Sequence, residues 1–134
     1  MRTINLILFF GLFIGTVLAQ SEAATPTVGL TFKTSSIDIG TVKRGEKKEM
    51  VYEFTNAGKE DVEIELVSSC ECTTIDYPRG IIKVGQSAKL EVVFDSTEKE
   101  ESETVDIDVI LKNIDPDTES QIMYFLNYTF VLEQ

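Results

Sequence analysis

Val105-Asp106-Ile107-Asp108-Val109-Ile110-Leu111 sets Val105, Ile107, Val109 and Leu111 against Asp106, Asp108 and Ile110, a period of two. Successive side chains of an extended chain point to opposite faces, so this stretch has one apolar face and one mostly charged face. The same alternation recurs elsewhere. Met50, Tyr52 and Phe54 alternate with Val51, Glu53 and Thr55; Val62, Ile64 and Leu66 with Glu63, Glu65 and Val67; and Leu90, Val92 and Phe94 with Glu91, Val93 and Asp95. Half-buried antiparallel strands require this pattern. After the N-terminal segment no stretch sustains a helical stripe, so the chain reads as all-β.

Turn-forming residues separate the runs. Lys43-Arg44-Gly45-Glu46 precedes the Met50 strand, and Asn56-Ala57-Gly58-Lys59 follows it. Tyr77-Pro78-Arg79-Gly80 and Val84-Gly85-Gln86-Ser87 come before the Leu90 strand. Asn and Gly take positive φ at little cost, and Pro presets a turn. Short strands at this spacing predict an immunoglobulin-like antiparallel β-sandwich of about seven to eight strands, occupying residues 28–134.

The N-terminus carries a different signal. Arg2 precedes an apolar run from Ile4 to Leu18, and Val17-Leu18-Ala19 offers a small-x-small exit before Gln20. A positive start, a short apolar run and a small-residue exit predict a secretory signal peptide over residues 1–19, with a small, polar leader over 20–27. The domain is then exported, to the periplasm or the cell surface, with no membrane insertion after cleavage. Arg2 is the one charge before Ala19, so cleavage takes the net charge from −11 to −12. That excess of carboxylates repels phosphate backbones and excludes nucleic acid as a partner.

Histidine is absent, which removes imidazole metal sites and the Ser-His and Cys-His nucleophile pairs. The expectation is a non-enzymatic domain with no cofactor and no resident metal. Asn113, Asp115 and Asp117 alternate as Ca²⁺ ligands might in a loop, but the glycine and distal glutamate of an EF-hand are missing, and a Pro-containing turn accounts for them. Lys43, Arg44, Lys47 and Lys48 read as a solvated hairpin edge, and Glu98, Glu100, Glu101 and Glu103 as a charged loop.

Two features are left as candidate sites. The last strand places Ile122, Tyr124, Leu126, Tyr128, Phe130 and Leu132 on one face, yet Met123, Phe125 and Val131 make the other face largely apolar too. Either a loop or the leader covers that second face, or it docks a protein partner or a second copy. The other feature is the pair Cys70-Glu71-Cys72, the only cysteines of the chain. In an extended segment, positions i and i+2 lie about 6.6 Å apart, near the upper limit for a disulfide. So small a loop stabilises the fold by only about 1.6 kcal/mol in the chain-entropy treatment. Oxidised, the two form a weak staple; reduced, they form a soft two-thiolate chelate suited to disulfide exchange or Cu(I) capture.

Residues 32–132 also resemble the bacterial domain-of-unknown-function family 1573. The resemblance rests on Ile37-Asp38-Ile39-Gly40-Thr41-Val42 with Gly45-Glu46, on Tyr52-Glu53-Phe54-Thr55-Asn56-Ala57-Gly58, on Ser68-Ser69-Cys70-Glu71-Cys72-Thr73-Thr74, and on Val92-Val93-Phe94-Asp95-Ser96. It implies an exported immunoglobulin-like domain and brings no activity with it. The family pattern has Gly between the cysteines, where this chain has Glu71, and Pro-Gly where this chain has Val84-Gly85. A positive φ at that Gly would impose a steric cost on Glu71.

Overall fold

The computed structural model describes residues 28–134. The expected signal peptide, 1–19, and leader, 20–27, lie outside them. Nine strands follow in order: β1 (Leu30–Phe32), β2 (Ser36–Lys43), β3 (Lys47–Asn56), β4 (Val62–Ser68), β5 (Thr73–Asp76), β6 (Ile81–Ile82), β7 (Ser87–Asp95), β8 (Glu103–Ile114) and β9 (Gln121–Glu133). They form a four-stranded sheet ordered β1-β3-β7-β5 and a five-stranded sheet ordered β2-β9-β8-β4-β6. The count exceeds the seven to eight expected because β1 and β6 have only three and two residues, too few to show a period.

The alternating faces meet between the sheets. Met50, Tyr52, Phe54, Leu90, Val92 and Phe94 of the smaller sheet pack against Val105, Ile107, Val109, Leu111, Leu126, Tyr128 and Phe130 of the larger. Phe94 stands at the centre, its ring centroid 4.5 Å from that of Phe130 and 5.3 Å from that of Tyr128, both tilted. Tilted contacts at these spacings suit the ring quadrupoles. Among the described residues no buried side-chain nitrogen or oxygen lacks a hydrogen-bond partner, as a well-formed core requires.

Two turns use one device. In residues 43–46 and 83–86 the fourth residue's N–H donates to the first residue's carbonyl, at 2.9 Å in each case. Glycine holds the third place, with φ of 94° at Gly45 and 82° at Gly85, where other residues would be strained. The fourth side chain closes the turn from the other side. Glu46 Oε1 accepts the Lys43 N–H and Gln86 Oε1 the Lys83 N–H, both at 3.0 Å.

Two arrangements differ from the simple alternating pattern. β2 pairs with β9 in parallel, while the other pairs are antiparallel. β1 lies in the smaller sheet and β2 in the larger, so the chain crosses between layers and enters beside the last strand from the same end. A β-bulge between Ile64 and Leu66 also shifts the register of β4 against β8. The extra residue reverses the facing of the rest of the strand. Leu66 is therefore exposed, and Val67 packs on the core in the place expected for Leu66.

Candidate functional site

Cys70 and Cys72 sit in the connection from β4 to β5 and are disulfide-bonded. The segment is a turn rather than an extended strand, with the Thr73 N–H donating to the Cys70 carbonyl at 3.0 Å. The turn brings the two Cα atoms to 5.2 Å, inside the usual range for a disulfide and closer than an extended chain allows. Glu119 is the one non-glycine with positive φ among the described residues, so Glu71 carries none of the steric cost that a left-handed conformation would impose. Its side chain is exposed.

The bridge is anchored at both ends. The Ser69 hydroxyl donates to the Asp106 carbonyl at 2.8 Å, and the Asp95 N–H to the Cys72 carbonyl at 2.9 Å. Both sulfurs are half-buried against the core. Thr73 Oγ1 lies 3.2 Å from the Cys70 sulfur and 3.5 Å from that of Cys72, and its strong contact, 2.6 Å, is with the Tyr128 hydroxyl. Burial pushes the Tyr128 phenol above its ordinary pKa, the Thr73 hydrogen bond opposes the shift, and the Glu103 carboxylate adds to it. Among the described residues no three His, Cys, Asp or Glu side chains converge as a metal site would need. The oxidised pair offers neither a thiolate nucleophile nor a soft ligand.

The second candidate is the outer face of the five-stranded sheet. Met123 and Phe125 are 41% and 70% exposed, Phe125 being the most open of the large apolar side chains among the described residues. Met123 pairs across β8 with Ile110, and Ile110 pairs across β4 with Leu66, itself 49% exposed. Leu66, Ile110 and Met123 thus form one row across three strands, with Phe125 two residues further along β9. Neighbouring strands lie about 4.8 Å apart, so the row is continuous. Val131, expected in the same surface, is not part of it. It is exposed but lies six residues beyond Phe125, about 20 Å away along the strand, beside Thr41 of β2.

Leu66 and Ile110 had no place in the expected surface. Ile110 was visible as an aliphatic residue in the acidic phase of its strand, whereas Leu66 reaches the face only through the bulge. Carboxylates border the patch: Asp108 directly opposite Phe125, Asp106 opposite Asn127, and Glu65 hydrogen-bonded by the Gln121 side chain.

The remaining sequence signals resolve into local structure. Asn113 turns away from Asp115 and Asp117. Its Oδ1 accepts the Glu63 N–H at 3.2 Å, and its Nδ2 donates to the Asp61 carbonyl and Glu60 Oε1. Asp115 Oδ1 accepts the Asp117 N–H at 2.8 Å, closing a turn. Arg44 Nε donates to the Lys99 carbonyl at 2.8 Å, and Lys99 pairs with Glu103, so the basic hairpin and the acidic loop meet at one end of the sandwich.

Two sheets packed through alternating faces, with the last strand paired in parallel to an early one, define an immunoglobulin-like β-sandwich. The ASH/PapD-like domain 7 of human CEP192 superposes with a TM-score of 0.64 at 15% identity, covering 87% of this chain and 94% of that one. A protein of unknown function from Porphyromonas gingivalis W83 gives 0.64 at 22% identity, covering 84% of this chain and half, 50%, of that one. The VesB protease of Vibrio cholerae gives 0.60 at 11% identity, covering 78% of this chain and 32% of the protease. At these identities the likeness is one of fold. The chain belongs to the family described as Protein of unknown function (DUF1573), whose profile matches residues 30–124. No curated protein matches the sequence.

Proposed function

We propose that this chain is an exported, non-catalytic interaction domain that docks a protein partner through the outer face of its five-stranded sheet, around Phe125. The observation that carries the reading is the row of Leu66, Ile110 and Met123 with Phe125 beside it. Exposed apolar side chains scattered singly are ordinary, whereas a contiguous patch rimmed by polar groups marks a contact surface. The absence of histidine from the sequence and the frequent use of immunoglobulin-like folds as binding scaffolds agree with it, the latter by analogy. Export, to the periplasm or the cell surface, rests on the arrangement of Arg2, the apolar run and Ala19.

The test is to recover the partner by reversible cross-linking and compare variants. Phe125→Ser abolishes recovery on this reading. Val51→Ser, which alters a 43% exposed residue of β3 in the opposite sheet, leaves recovery intact. Equal recovery with both variants contradicts it. N-terminal sequencing of the exported protein checks the leader, with Gln20 as the expected first residue.

A second reading assigns Cys70 and Cys72 a thiol role, in disulfide exchange or Cu(I) capture. The observation favouring it is the closure of only three residues by the bridge, so that reduction costs the fold little. A redox titration tests it. A pair that stays oxidised across the range of biological thiol potentials removes this role.

A further inference from the structure

Resting on the docking reading above, we infer that the partner presents an extended segment, with apolar side chains flanked by lysine or arginine, that adds as a strand beside residues 121–126 of β9. Three observations converge on that stretch.

The first is an incomplete pairing. β2 runs along β9 only from Ser36 opposite Asn127 to Lys43 opposite Glu133. The Asn127 N–H donates to the Ser35 carbonyl at 2.9 Å, and before that point the chain belongs to β1 in the other sheet. Residues 121–126 therefore have β8 on one side and, among the described residues, no strand on the other. An unpaired edge is a template for strand addition.

The second is the position of the apolar patch. Met123 and Phe125 alternate outward along the open stretch, and Ile110 and Leu66 continue the surface inward across the sheet. A strand added there sets its own alternate side chains on the same face, beside Phe125. Backbone pairing and apolar contact are thus satisfied by one partner geometry.

The third is charge. β4, β8 and β9 together carry one cation, Lys112, and it is held by Glu63 at 2.8 Å. Lys112 also attracts Glu65, whereas Asp106 and Asp108, opposite Asn127 and Phe125, form no ion pair among the described residues. Two copies docked through this surface would bring these carboxylates together in a chain of net charge −11, which like-charge repulsion disfavours. A basic-flanked segment supplies the missing charge.

The probe is a capped Lys-Thr-Val-Thr-Val-Thr-Lys peptide, whose valines and flanking lysines share one face of an added strand, compared with isosteres carrying Gln or Glu at the Lys positions, each titrated into the exported protein while amide resonances are followed. The Lys peptide is expected to shift the amides of residues 121–126 first. It should bind at least tenfold more tightly than the Gln peptide and lose about tenfold as salt rises from 0.05 to 0.5 M, since screening shortens the reach of exposed charges. Asp106→Asn with Asp108→Asn lowers its affinity to the Gln level. Equal binding of the Lys and Gln peptides overturns the charge assignment, and first shifts in β5 or β6 overturn the edge. Amides 121–126 already protected from exchange by residues 20–27 in the free protein overturn it as well. Cross-linking that remains sensitive to Phe125→Ser alongside any of these results leaves the docking face standing, whereas its insensitivity removes the face itself.

Discussion

Replacing Asn56 by Ala tests how the Asn56-Ala57-Gly58 turn after β3 supports the sandwich. Asn56 is fully buried, and its side chain makes three hydrogen bonds to backbone. Nδ2 donates to the Glu60 carbonyl at 3.0 Å and to the Ile82 carbonyl at 3.1 Å, and Oδ1 accepts the Gly58 N–H at 3.1 Å. One amide thereby ties the β3–β4 turn to β6. Truncation leaves the Gly58 N–H and the Ile82 carbonyl buried without partners, while the exposed Glu60 finds water. Each of the two orphaned buried groups costs about 1–3 kcal/mol, which puts Asn56→Ala near 2–6 kcal/mol. For a domain of this length about 4 °C of Tm accompanies each kcal/mol, so the melting temperature should fall by about 8–24 °C. Asn56→Asp should cost at least as much, because a carboxylate turns acceptors toward the two carbonyls that Nδ2 now satisfies. Urea denaturation measures both. A loss below about 0.5 kcal/mol for Asn56→Ala, the level of an ordinary surface change, refutes the reasoning.

Leu66→Glu should be tolerated within about 0.5 kcal/mol while Val67→Glu costs several, because the bulge exposes the first and turns the second inward; denaturant midpoints of the pair decide it. Removing the bridge with Cys70→Ser and Cys72→Ser should cost no more than about 2 kcal/mol, and unfolding of the double variant at ambient temperature would show a larger structural role. Tyr52 and Tyr128 both have phenol pKa values raised by burial. Their contribution is complete below the ordinary tyrosine pKa, about 10, and is lost as pH rises toward the folded values. Alkaline unfolding followed by phenolate absorbance should therefore move to higher pH in Tyr128→Phe. On the acid side Glu46 is held low chiefly by the Lys43 backbone N–H, Glu53 by Lys33, and Asp95 by the Thr97 hydroxyl and N–H. Stability should be flat above about pH 5 and fall below the ordinary carboxylate range, with a shallower fall in Glu53→Gln.

The period-two runs made the sandwich legible because each long strand has one face in a single core. Met50-Tyr52-Phe54, Leu90-Val92-Phe94 and Val105-Ile107-Val109-Leu111 all point inward as their alternation requires. The parallel pairing of β2 with β9 leaves no mark in either strand's pattern, since register between distant segments is settled by packing. The bulge in β4 is the same kind of omission, and it moved Leu66 from the expected core to the surface. Met123 and Phe125 were readable as apolar residues in the wrong phase, and so was Ile110. Their union with Leu66, and the separation of Val131, required the strand order. The cysteine pair was visible at once, but its turn geometry was not, because an i, i+2 spacing describes an extended chain and a turn equally well.

The docking face is tested most directly by placing a photo-cross-linking side chain at single positions in the exported protein. Positions 66, 110, 123 and 125 should each yield the same adduct, with 51 on the opposite sheet and 131 at the far end of β9 yielding none. An adduct distributed equally over all six positions, or concentrated at 51 or 131, contradicts the assignment of the outer face around Phe125 as the docking surface.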